Sequence, residues 1–308
     1  MTTPASRTMR FVGVSTASSS IMKVFPVWAD LLGLDADLVG LDLPLDASPE
    51  AYRQAMDQMR SDPRCVGALV TTHKIALHDA ARDMFDHLDD FAASVGEVSS
   101  IAFRDGEVHG AAKDPITAGL SLEEVLAADH FSRGGHVLCL GAGGAGTAIG
   151  WYLAQRPDAP AAMTFVDVDP ARLGHLEHVV NAHLPRDRPG PALQVLTTAQ
   201  ADSGALLAQL PPHSLVVNAT GLGKDRPGSP LADDATFPPS AVVWELNYRG
   251  SLEFLQQARK QEAAAQLTVV DGWRYFIHGW TQVIAAVFDV PMERETVSLL
   301  AEAAGRLR

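Results

Sequence analysis

Residues 137–154 read VLCLGAGGAGTAIGWYLA: four apolar residues, a turn almost without side chains, and an apolar, alanine-rich stretch. This pattern predicts a short strand passing into a helix through a turn that only glycine makes easily. In a dinucleotide-binding unit the three glycines have separable tasks. Gly141 permits the tight turn, Gly143 lets backbone approach a pyrophosphate, and Gly146 lets the helix lie close to the strand. The free N–H groups and positive dipole end of the helix suit an anion, so the expected cradle is Gly141, Ala142, Gly143, Gly144, Ala145 and Gly146. Glycines also collect in ordinary turns, so the context decides. It is AAMTFVDVDPARL, an apolar strand over Met163 to Val166 ending in Asp167, about 20 residues beyond the last glycine as this unit requires. A carboxylate there can accept hydrogen bonds from both ribose hydroxyls and repels a 2′-phosphate, which points to NAD rather than NADP as cofactor. The alternative is a helix cap, a task that Asp169 before Pro170 suits better.

A chain of 308 residues with 47% apolar residues is comfortable as two domains. A formal charge of −13 argues against nucleic acid or an anionic membrane as partner, so an anionic ligand must be held by local donors. Cys65 and Cys139 offer neither a disulfide framework nor metal-ligand spacing, and no metal is expected. No apolar run is long enough for a signal sequence or a membrane span, which predicts a cytoplasmic protein.

Strands and helices alternate. MRFVGVS, ADLVGLDLP and VGALVTT read as strands separated by helices, SSIAFRDGEVHGAAKD as two strands joined by an Asp-Gly turn, and SLVVNATGLG, AVVWELNY and LTVVDG as later strands. A helix is expected from Ile116 towards His136, and a helical period over Trp273 to Arg308. Such alternation implies parallel sheets with covered faces. The predicted fold class is α/β, with an N-terminal α/β substrate domain over 1–114, completed by helices in 273–308, and a Rossmann-type dinucleotide-binding domain over 115–272. Cofactor and substrate would meet in a cleft between them.

Several stretches resemble the shikimate dehydrogenase family, in that family's order along nearly the whole chain. LVTTHK is similar to the segment ending in the catalytic lysine, and GEVHGAAKD to the segment ending in Asn-Thr-Asp. LGAGGAG is similar to the cofactor turn, NATGLG to the Asn-Ala-Thr motif near the nicotinamide, and ELNYRGSLEFLQQA to the Asp-x-x-Tyr region. SSS stands where the family places Ser-x-Ser for a substrate carboxylate. The resemblance implies Lys74 and Asp114 as the catalytic pair. Removing hydride from a secondary alcohol requires the hydroxyl proton to leave; an amine within hydrogen-bond reach can take it, and a neighbouring carboxylate orients both. Asp114 before Pro115 also suits an N-cap. Ser18, Ser20 and Tyr248 would hold a substrate carboxylate, unless the serines form only a polar loop. Val70, Thr71, Ser99, His278 and Gln282 stand at substrate-side positions. Asn218, Thr220 and Gly221 would position the cofactor or merely close a strand-end turn. His73, His109 and His278 could line the site or simply pack.

The chain also departs from the family. Ala68 and Val70 replace an asparagine and a threonine that contact ring hydroxyls, and Ser99 replaces the asparagine of a Gly-Ala-Val-Asn segment. Ala112-Lys113-Asp114 stands for Asn-Thr-Asp, Gly279 for a late glutamine, and Asp167-Val168-Asp169 for Asn-Arg-Thr. These changes weaken selection for shikimate itself. The leading expectation is an NAD-dependent alcohol dehydrogenase acting on a shikimate- or quinate-like cyclic hydroxy acid, as a monomer or homodimer. The resemblance implies a setting in the shikimate pathway of aromatic amino-acid biosynthesis. Alternatives are an ordinary shikimate or quinate dehydrogenase whose changed residues are covered by Thr71, Thr72, Lys113 and His278, a non-catalytic dinucleotide sensor, and, more remotely, a folate-intermediate dehydrogenase.

Overall fold

The alternation of strand and helix resolves into two six-stranded sheets. A computed structural model describes residues 6–224 and 226–308. The chain divides into one unit that runs up to Asp114 and resumes over Ile277–Arg308, and a second over Pro115–Phe276. The later division falls inside the helix Trp273–Phe288.

In the first unit β1 (Arg7–Gly13), β2 (Ala36–Asp42), β3 (Cys65–Val70), β4 (His87–Leu88), β5 (Ser100–Arg104) and β6 (Glu107–Ala111) stand in the order β2-β1-β3-β5-β6-β4. β1 is parallel to β2 and β3, but β5 runs antiparallel to both β3 and β6. This sheet is therefore mixed, correcting the expectation of a parallel one. Two helices and the short β4 lie between β3 and β5 in place of a single crossover helix, so the chain re-enters the sheet from the opposite end. Asp105 and Gly106, both at positive φ (52° and 84°), then close the β5–β6 hairpin as the Asp-Gly pair predicts. The two-residue β4 has too little pattern to be visible in sequence. Trp280 meets Phe11 of β1 edge to face at 4.9 Å, and buried Trp28 donates its indole N–H to the Leu300 carbonyl (2.8 Å). The helical tail is two helices, Trp273–Phe288 and Arg294–Gly305, because Asp289 turns left-handed (φ 55°) and Pro291 follows.

In the second unit β7 (Val137–Leu140), β8 (Ala162–Asp167), β9 (Ala192–Thr197), β10 (Leu215–Asn218), β11 (Val242–Glu245) and β12 (Thr268–Val270) form an all-parallel sheet ordered β12-β11-β10-β7-β8-β9. Both faces are buried, as a parallel sheet requires: Val137 and Cys139 of β7 join one core, Leu138 and Leu140 the other. The order reverses between β7 and β10, the switch point where such sheets bind ligands beyond the strand ends. The helix expected from Ile116 stops early, as Asp114–Glu123, with only a 3-10 turn at His130–Arg133. The buried Arg156 guanidinium takes the carbonyls of Ala127 and Ala128 (2.9 and 3.3 Å), which a continuing helix would have needed. Among the described residues no helix is long and apolar enough to cross a membrane, and Cys65 and Cys139 are buried free thiols.

Candidate active site

Thr71 and Thr72 carry the chain out of β3, with Thr72 left-handed (φ 64°), so Lys74 opens the helix Lys74–Ala81 instead of ending the strand. Asp114 opens the helix Asp114–Glu123. The Lys74 Nζ donates to Asp114 Oδ2, in a pair whose side chains are 19% and 8% exposed. A third ionisable group stands beside them. Glu97 follows the left-handed Gly96 that ends the helix Asp90–Val95, and the next residue, Val98, donates its N–H to the Lys74 carbonyl (3.2 Å). Glu97 is 3% exposed, and its Oε1 has no hydrogen-bond partner among the described residues. Burial and then the Asp114 charge push Glu97 up to about 8, against the opposing pull of Lys74. For Lys74 burial alone would lower the pKa, but Asp114 and then Glu97 outweigh it and raise it. At neutral pH Lys74 is thus an ammonium beside Asp114, able to hold a proton at Nζ and release it to an acceptor, while the neighbouring Glu97 carboxyl is pushed towards its protonated form. Glu97 was not among the sequence candidates. Its signal was a charge inside the apolar run VGEVSSIAF, where the family segment Gly-Ala-Val-Asn carries alanine.

The expected substrate-side residues divide. Ser18 is exposed and its hydroxyl donates to the Ser15 carbonyl (3.1 Å); Ser20, half-buried, precedes the helix Ile21–Leu32 without capping it by its side chain. Thr71 is half-buried against Gly13. Val70, like Ala68, is fully buried in β3 and offers a ligand no surface, which corrects its place among substrate-side residues. Ser99 is buried and committed to backbone: its Oγ accepts from the Lys113 N–H (2.7 Å) and donates to the Ala111 carbonyl (3.4 Å). Lys113 itself pairs with Asp89 (3.3 Å). His278 is buried in its helix, and Gln282 lines a cavity of about 510 Å³ whose walls include neither Lys74 nor Asp114. His73 is packed, with Nδ1 2.9 Å from the Tyr52 hydroxyl and Nε2 3.1 Å from the Leu43 carbonyl; burial lowers its pKa and keeps it neutral.

The glycine turn fits a dinucleotide. Gly141 has φ 111°, and a Cβ there would lie 2.5 Å from the Ala219 carbonyl carbon; at Gly146 a Cβ would lie 2.2 Å from the Gly141 carbonyl oxygen. At Gly143, which caps the helix Gly144–Gln155, a Cβ would meet nothing within 4 Å, so that missing side chain leaves space for something outside the protein. Gly143, Gly144 and Ala145 are half-exposed, whereas Ala142 and Gly146 are buried. Buried Asp167 ends β8 with both oxygens already engaged: Oδ2 accepts from the Ala142 N–H (2.7 Å) and Oδ1 from the Asp169 N–H (3.0 Å). Its first task is thus to brace the glycine turn, while Asp169 caps the helix Pro170–Ala182. Beside them Val168 is 74% exposed.

At the end of β10, Asn218 is fully buried. Its amide donates to Glu245 Oε2 (2.7 Å), and its carbonyl oxygen accepts from the Thr220 N–H and hydroxyl (3.1 and 2.7 Å). It shapes the turn, leaving Thr220 and the left-handed Gly221 (φ 74°) at the surface of the strand ends. Burial pushes Glu245 up to about 7 despite hydrogen bonds from Asn247 and Asn218. Tyr248 is half-buried against Phe276 and Trp273, with ring centroids 4.6 and 5.5 Å away.

No family model matches the chain. It is similar to proteins named shikimate dehydrogenase (NADP(+)). One, from Symbiobacterium thermophilum, is 30% identical over 238 residues, covering 76% of this chain and 74% of its own. Another, from Streptococcus gordonii, is 31% identical over 178 residues, 57% of this chain, and the match spans 58% of that relative's length. Similar solved structures include shikimate dehydrogenase from Aquifex aeolicus (TM-score 0.75, 19% identity, 99% of this chain and 100% of that one). Another is quinate dehydrogenase from Corynebacterium glutamicum in complex with NAD (TM-score 0.72, 20% identity, 97% and 98%). At these identities the structural likeness establishes the fold.

Proposed function

The chain belongs to the shikimate dehydrogenase family, and from that premise we propose that it is an NAD-dependent dehydrogenase. It interconverts a secondary alcohol and a ketone on a cyclic hydroxy acid related to shikimate or quinate. The observation that carries this reading is the buried Lys74–Asp114 pair: a charged amine and carboxylate held together out of water are costly to keep for packing alone, and they are the groups this chemistry needs. The nicotinamide, when bound, exchanges hydride with the substrate carbon. Lys74 Nζ gives its proton to the carbonyl oxygen during reduction and takes it from the hydroxyl during oxidation, while Asp114 orients the ammonium. Because Asp114 and Glu97 raise the Lys74 pKa, reduction finds its acid ready at neutral pH, and oxidation gains from higher pH.

The residues that would hold the dinucleotide are Gly141, Ala142, Gly143, Gly144, Ala145 and Gly146 for the pyrophosphate and Asp167 for the ribose, with Thr220 and Gly221 towards the nicotinamide and Asn218 shaping their turn. Support for NAD over NADP is the run Asp167-Val168-Asp169: a 2′-phosphate there would face two carboxylates and an exposed valine, and the nearby Arg172 already pairs with Asp169 (3.6 Å). Ser18, Ser20, Thr71 and Tyr248 are the candidates to hold a substrate carboxylate and ring. With Ala68 and Val70 buried and the Ser99 hydroxyl committed, few polar groups remain for ring hydroxyls.

The test is a matrix of initial rates with NAD and NADP on shikimate, quinate, their deoxy and amino analogues, repeated with Lys74→Ala and Asp114→Ala. Turnover with NAD preferred, and a loss of about 100-fold or more in each variant with NAD binding retained, is expected. No turnover of any cyclic hydroxy acid, or near-normal rates in folded Lys74→Ala protein, would refute the reading.

A further inference from the structure

One edge of the first sheet carries three metal-competent side chains that the dehydrogenase reading does not use. His87 on β4 and His109 on β6 are register partners in a parallel pair, and Glu107 stands two residues before His109, so alternation along β6 puts Glu107 and His109 on one face. The two imidazoles stack, with centroids 4.7 Å apart and planes 23° from parallel. Glu107 Oε2 lies 3.0 Å from His87 Nε2 and 3.7 Å from His109 Nε2, and one ligand atom from each residue lies within 4.8 Å of the others. A tetrahedral ion with bonds of about 2.0–2.2 Å holds its ligand atoms about 3.3–3.5 Å apart. These two separations bracket that spacing, and small side-chain rotations close the set.

We propose that His87, Glu107 and His109 form a binding site for a divalent transition metal of the zinc class, with a fourth position open to water. Two imidazoles and one carboxylate select such a cation over magnesium or calcium, which prefer oxygen ligands throughout. The backbone beneath the ligands is rigidly placed. β4 is pinned at its start by Asp86, whose N–H donates to the Val108 carbonyl (2.9 Å) and whose Oδ2 accepts from the Val108 N–H (2.8 Å). Beyond its end, the Asp89 N–H donates to the Gly110 carbonyl (3.0 Å) and Asp89 Oδ1 accepts from the Ala112 N–H (3.1 Å). Gly110 is packed closely, since a Cβ there would come within 2.7 Å of Leu88 and 2.8 Å of Phe85. A two-residue strand held in this way keeps His87 in register with His109, and ligands on fixed backbone lose little freedom on binding. His87 and His109 also line the 510 Å³ cavity, together with Lys113, Arg104 and Gln282. Cysteine spacing pointed to no metal; this site is built from histidines on two strands brought together by the sheet.

The test uses the full chain without an affinity tag, stripped by chelator and dialysed, titrated calorimetrically with zinc chloride and separately with magnesium chloride. One zinc per chain is expected, with affinity lowered by about 100-fold or more in His87→Gln and in His109→Gln, and no magnesium binding. Cobalt(II) should give visible absorption of a tetrahedral site in the wild type and not in the variants. All three ligands lie at a sheet edge, and circular dichroism verifies that the variants fold. Zinc binding that persists unchanged in both variants resides on other histidines and overturns the proposal, as does absence of zinc binding by the wild type.

Discussion

Replacing Glu97 by glutamine keeps the shape of the side chain and removes its ability to ionise. In the folded chain burial and the Asp114 charge hold Glu97 at about 8, against 4.5 for an exposed glutamate. Between those pH values the unfolded chain has released the proton while the folded chain keeps it, so folding takes up a proton and stability falls as pH rises. The contribution is fully present below pH 4.5 and is lost as pH passes through about 8. Integrated over that window it amounts to on the order of 5 kcal/mol, at about 1.4 kcal/mol for each tenfold change in proton activity. The Glu97→Gln chain lacks this dependence, so its stability relative to wild type should rise between pH 5 and pH 8.5 by several kcal/mol. Guanidinium unfolding midpoints followed by tryptophan fluorescence measure it, with Trp28 and Trp280 reporting on the unit that holds Glu97. A gap between variant and wild type that stays constant over that range would show that Glu97 is ionised in the folded chain, and the account of the buried trio would fail.

The same variant removes one of the charges that raise Lys74, so the pH at which oxidation becomes fast should move downward; an unmoved pH profile of kcat/KM would break the link between the two groups. Gly143→Ala should lower stability by no more than about 1 kcal/mol, the scale of a poorer helix cap, because its Cβ meets no protein atom, yet weaken NAD binding by at least about tenfold. Gly146→Ala should lower stability as well, since its Cβ would collide with the Gly141 carbonyl; equal stability in the two variants, read by calorimetry, would contradict the geometry. Val168→Arg places a cation on a largely exposed side chain between two aspartates and should improve NADP relative to NAD; an unchanged ratio of dissociation constants would separate this position from cofactor choice.

The dinucleotide turn was legible at once because its demands are local. Positive φ at Gly141 and a helix pressed against the turn at Gly146 are conditions on single residues and their immediate neighbours, and Asp105-Gly106 announced a hairpin for the same reason. Lys74 and Asp114 were legible only as positions in a resemblance, since 40 residues separate them and the helix starts that carry them are joined through the sheet. Partnership among distant groups belonged to the tertiary structure alone. The antiparallel entry of β5 follows from the path taken between β3 and β5 and not from the residues of β5. That pairing, with β6 alongside, aligns the Ser99 hydroxyl with the Lys113 N–H, removing it from the substrate side, and brings Glu97 beside the Lys74–Asp114 pair. Likewise β4 sets His87 beside His109 through a register that two residues could never advertise. Conformational preference is a property of a residue and its neighbours, and sequence carries it; burial, charge coupling and the commitment of a hydroxyl or carboxylate depend on which distant segment arrives, which only the folded chain decides.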